Sequence, residues 1–129
     1  MTVHVMHRKP AQTTREETEL VTEATLLPVL LTMIRRDLDK ANNSPSAKLS
    51  LPQAVVLQRM LEMIHLDLIR VKKQLRKNGI RIYSEVKDAE GIRCKYLCRE
   101  HRGNLTMSRQ RVKVELGILA GKYVHARTG

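Results

Sequence analysis

The sequence predicts a mainly α-helical protein: a small bundle of three or four helices with a β-hairpin inserted near residues 80–98. Three observations carry that expectation. Apolar residues recur at spacings of three and four in two long segments, the period drops to two after Gly79, and three tyrosines with no phenylalanine or tryptophan leave the core to Leu, Ile, Val and Met. A chain of 129 residues suits one domain around one core. The expected division is a flexible arm over residues 1–13 followed by a single helical domain over 14–127.

The first helix starts at Thr13 or Thr14. Thr13 with Glu16, or Thr14 with Glu17, forms a capping box, and acidic side chains in the first turn oppose the positive end of the helix dipole. Pro28 lacks an amide proton and crowds the turn before it, so a kink near Leu27 or a restart at Pro28 is expected. Leu27, Leu30, Leu31, Ile34 and Leu38 continue an apolar stripe to about Ala41.

The stretch Asn42 to Gln53 is rich in turn formers and ends in a second capping box, Ser50 with Gln53, with Pro52 in the first turn. In the helix that follows, Leu57, Leu61, Ile64, Leu68, Val71 and Leu75 are spaced four, three, four, three, four. That heptad seam fits a partner helix of its own bundle or a second subunit in a homodimer. Asn78-Gly79 supplies the left-handed stop.

Beyond Gly79, Ile80, Ile82, Ser84 and Val86 alternate onto one strand face, KDAEG reads as a turn, and Ile92, Cys94, Tyr96 and Cys98 alternate against Arg93, Lys95 and Leu97. The competing reading makes Ile92 to His101 helical, because Cys94, Leu97, Cys98 and His101 also share a helix face. A last helix is expected from Asn104 or Thr106 to about His125. It turns Val112, Leu116, Leu119 and Tyr123 inward, and its GILAG step, Gly117 to Gly121, suggests a close helix crossing.

Charge divides the chain. Residues 1–69 hold eight Lys and Arg against eight Asp and Glu, whereas residues 70–129 hold sixteen against five, which accounts for the formal net charge of +11. Such asymmetry is a footprint of a polyanion-binding face, although basic side chains also serve as the solvated side of helices. The candidate anion-binding set is Arg70, Lys72, Lys73, Arg76, Lys77 and Arg81 at the end of the long helix, Arg93, Lys95 and Arg99 on the hairpin, and Arg109, Arg111 and Lys113 on the last helix. The helix dipole accounts for two or three cations at a C-terminus, not six.

Cys94, Cys98 and His101 supply soft ligands of the kind zinc takes, but a fourth is missing locally and the spacing is not that of a zinc knuckle. Buried cysteines commonly act as small hydrophobes, and a thiol activated by Arg93, Lys95 and Arg99 is the other alternative. No metal or cofactor is expected. No nucleophile, base and oxyanion set can be assembled, and no apolar run is long enough to span a bilayer. The scarcity of rings also disfavours stacking of single-stranded bases.

The segments LLPVLLTMIRRDLDKANNSPSAKLSLP, IHLDLIRVKKQLRKNGIRI and KYLCREHRG resemble small uncharacterised helical proteins of Bacillus-type spore-forming bacteria, over roughly Leu26 to Tyr123. The resemblance implies a helical fold and a bacterial cytoplasm, and no activity. The sequence thus points to a small, basic, cytoplasmic, non-catalytic binding protein. Its partner is duplex DNA or RNA held through phosphates, largely without regard to sequence, or an acidic protein met by the basic half.

Overall fold

A computed structural model describes residues 13–43 and 51–126. Three helices and three strands follow in the order α1 (Arg15–Asn43), α2 (Leu51–Lys77), β1 (Ile80–Asp88), β2 (Gly91–Cys98), β3 (His101–Ser108) and α3 (Arg109–Ala126). The chain is helix-rich, but it is a two-layer arrangement and not a pure bundle. The strands form an antiparallel sheet of order β1-β2-β3, and the apolar side chains of all three helices meet one face of it.

Helix α1 begins with the second of the two expected capping boxes. The Glu17 amide donates to Thr14 Oγ1 and the Thr14 amide donates to Glu17 Oε1, both at 3.1 Å. Pro28 neither stops nor restarts the helix, which runs through it to Asn43. Val21, Leu26 and Leu27 before it, and Leu30, Leu31 and Ile34 after it, are buried in one core. Anchoring on both sides outweighs the roughly 3 kcal/mol that an interior proline costs.

The heptad seam of α2 is spent within the chain: Leu61, Ile64, Val71 and Leu75 are buried in the core, with Leu57 and Leu68 packed against it. It is therefore not an open face for a second subunit. Pro52 sits in the first turn as expected, while the cap at Ser50 and most of the Asn42–Gln53 loop lie outside the described residues. The helix stops at Asn78-Gly79, where Gly79 adopts φ +71°.

The hairpin reading of residues 80–98 holds, and the helical alternative for Ile92 to His101 falls. One side of β2, made of Ile92, Cys94, Tyr96 and Cys98, is buried, while Arg93 and Lys95 are exposed. The turn closes with Asp88 Oδ1 accepting the Glu90 amide at 3.0 Å.

Two details differ from expectation. A register shift between Ile82 and Ser84 makes Tyr83 an extra residue, so Ser84 pairs with Lys95 and Val86 with Arg93. Ser84 and Val86 therefore share the outer face of the sheet, not the inner face with Ile80 and Ile82.

The second difference is larger: the hairpin is a three-stranded meander. Residues 104–108, expected to open the last helix, belong to β3. Leu105 and Met107 are buried while Asn104 and Thr106 are exposed, which is the period of a strand. Helix α3 starts only at Arg109, with Ser108 Oγ accepting the Arg111 amide at 3.2 Å as its cap.

The β2–β3 turn consists of Arg99 and Glu100, at φ +49° and +73°. Left-handed backbone costs a non-glycine residue roughly 1–2 kcal/mol, and here it is held from outside. The Arg99 amide donates to Gly79 O at 2.9 Å, while its guanidinium reaches Glu17 on α1. Leu116, Leu119 and Tyr123 carry α3 onto the core. Gly117 and Gly121 meet open space, so the expected close crossing does not form there.

Candidate nucleic-acid interface

The strand registers define rows across the outer face of the sheet. The first is Arg81, Leu97 and Arg102; the second is Ser84, Lys95 and Asn104; the third is Val86, Arg93 and Thr106. Arg81, Lys95, Arg102, Arg93, Asn104 and Thr106 are exposed. Among the described residues the helices cover only the opposite face, which leaves this one exposed.

Carboxylates divide the candidate cations into two groups. Arg93 Nη2 lies 2.7 Å from Asp88 Oδ2, and Arg70 lies 3.4 Å from Asp67 and 3.5 Å from Glu23. Arg99 is the most committed. Its Nη1 and Nη2 donate to Glu17 Oε2 and Oε1 at 2.7 and 2.8 Å, and Nη1 also donates to Asn78 O at 2.9 Å. This is a bidentate, largely desolvated pair.

The Arg99 hydrogen bonds hold the Glu17 carboxyl well below its usual range, at about 2. The same bonds raise the Arg99 pKa further. Arg99 thus ties the β2–β3 turn to α1 and to the Asn78-Gly79 junction of α2 with β1, and its charge is not offered to a ligand. Among the described residues, no ion pair or side-chain hydrogen bond engages Lys72, Lys73, Arg76, Lys77, Arg81, Lys95, Arg109 or Lys113.

These free cations do not form one patch. Arg81 and Lys95 lie on the outer face toward the end where α2 runs into β1, and Arg76 and Lys77 precede Arg81 by five and four residues. Arg109 and Lys113 follow Ser108, at the far end of β3. That is about 25 Å away for an eight-residue strand, so the sheet separates them from the first cluster.

Arg102 joins the cluster although it was not in the candidate set. It pairs with Leu97 from β3, as Arg81 does from β1. Without the second hairpin, no sequence signal placed it there.

The thiols serve the core. Cys94 and Cys98 are both buried on the inner face, four residues apart on a strand and so about 13 Å apart. His101 is exposed beyond the turn, and the geometry does not bring the three together. Thr25 Oγ1 lies 3.8 Å from Cys94 Sγ, and burial pushes the Cys94 thiol up, the opposite of activation. Among the described residues, no cluster of three or more His, Cys, Asp or Glu is placed to hold a metal ion.

No helix among the described residues is long and apolar enough to cross a membrane. No curated protein and no solved structure matches the chain. A protein-family model described as YhjD protein matches residues 12–128, nearly the whole length, and the chain belongs to that family.

Proposed function

We propose that this protein binds nucleic acid through phosphate contacts, without catalysis, using the uncovered face of its sheet. The observation that carries the reading is the gathering of Arg81, Lys95 and Arg102, free of carboxylate partners, in two adjacent rows of an exposed face. Lys73, Arg76 and Lys77, near the end of α2, are further cations without carboxylate partners among the described residues. With a formal net charge of +11, the surface suits a polyanion, and the exposed Ser84-row amide, Asn104, and Thr106 add polar contacts without adding negative charge. A cytoplasmic setting in a Bacillus-type bacterium accords with the sequence resemblance, and a regulatory or accessory role belongs to this proposal.

Charge reversal tests it. In Arg81→Glu/Lys95→Glu/Arg102→Glu, affinity for duplex nucleic acid falls and the salt slope shrinks by about 2.7, or 0.9 for each of three lost phosphate contacts. Arg109→Glu/Lys113→Glu, at the far end of the sheet, changes both little. Equal effects of the two variants would refute this placement. Absence of nucleic-acid binding together with one stoichiometric acidic protein on copurification would favour the second reading of the basic half, as an adaptor surface.

A further inference from the structure

We infer that the nucleic acid is B-form duplex DNA, with β2 lying along the major groove; this rests on the phosphate-binding reading above. Arg81 and Arg102 stand two strands apart with Leu97 between them, which separates their backbones by about 10 Å. The major groove of B-form DNA is about 12 Å wide. Two long guanidinium side chains at that separation reach the phosphates on its two lips while the middle strand faces the base edges.

The middle of the face suits that position. Leu97 is a half-buried aliphatic residue flanked in its row by Arg81 and Arg102, and an apolar side chain there meets thymine methyl groups. Lys95 and Asn104, paired in the next row, carry the donors and the amide that base edges accept.

Other nucleic acids fit less well. The three paired rows of the outer face hold no ring, the half-exposed Tyr83 stands unpaired at the register shift of the edge strand, and Tyr96 points to the buried side, where a Cβ on Gly103 would fall 2.4 Å from its ring. Single-stranded ligands depend on stacking against such rings. The major groove of duplex RNA is too deep and narrow for side chains on a sheet to read.

The test is competition at about 100 mM salt among a fluorescent DNA duplex of about 20 base pairs, the RNA duplex of the same sequence and the single DNA strand. The wild-type protein binds the DNA duplex at least about tenfold more tightly than either other probe. Leu97→Ser, checked for unchanged melting, narrows the DNA-to-RNA ratio while leaving the salt slope unchanged. RNA duplex or single strand bound as tightly as DNA would overturn the groove assignment and leave the phosphate reading standing. Failure to bind any of the three would remove both.

Discussion

Replacing Glu17 by Gln removes one charge from a carboxylate that is 6% exposed and receives both guanidinium arms of Arg99. The Glu17 pKa falls from 4.5 to about 2, which corresponds to about 3 kcal/mol of stabilisation at neutral pH. Because the folded-state pKa is the depressed one, this contribution is fully present above about pH 5. It falls to about 1 kcal/mol at pH 3 and is nearly gone at pH 2.

Removing one partner of a desolvated pair typically costs 3–5 kcal/mol, which agrees in scale. The variant also leaves the left-handed Arg99 without its charged anchor. Urea unfolding of wild type and Glu17→Gln at a series of pH values therefore gives a difference of about 3 kcal/mol at pH 7 that shrinks toward zero as the pH falls from 5 to 2. A difference that is small at pH 7, or that persists unchanged at pH 3, would refute the clamp.

Three further outcomes follow from packing. Gly103→Ala places a methyl group 2.4 Å from the Tyr96 ring and lowers stability by about 1–3 kcal/mol in chemical denaturation. Gly117→Ala and Gly121→Ala, where a Cβ would meet open space at both sites of α3, each raise stability by about 1 kcal/mol, seen as a higher melting temperature. Destabilisation would mean that α3 packs more closely than described. Cys94 and Cys98, each 1% exposed, resist a thiol-alkylating reagent in the native protein and react on unfolding; rapid native labelling would contradict their burial.

The long helices were legible because their signals are local: a reciprocal Thr14–Glu17 cap, a heptad seam in α2 and an Asn-Gly stop. The first hairpin was legible for the same reason, since period two and a KDAEG turn lie within twenty residues. The third strand was not. Its turn is Arg99-Glu100, without the Asn or Gly that normally marks two left-handed residues, and what holds it is Glu17, 82 residues away. Thr106 just before a charged segment also imitates a helix start.

The same distance hides the division of the cations. Nothing near Arg70 or Arg99 in the chain says that Glu23 and Glu17 will meet them, and the register shift at Tyr83 that reverses Ser84 and Val86 has no Gly or Pro to announce it. Charge asymmetry located the positive half of the molecule. The carboxylate contacts of Arg70, Arg93 and Arg99 set these apart, and the strand register brought Arg81, Lys95 and Arg102 onto one face.

The most direct test of the account is the dissociation constant of the full chain for duplex DNA at about 50 and about 200 mM salt. Three contacts, from Arg81, Lys95 and Arg102, predict measurable binding at the lower salt and a loss of about fortyfold at the higher. No binding at 50 mM, or binding indifferent to salt, would contradict the claim that this basic face holds phosphates.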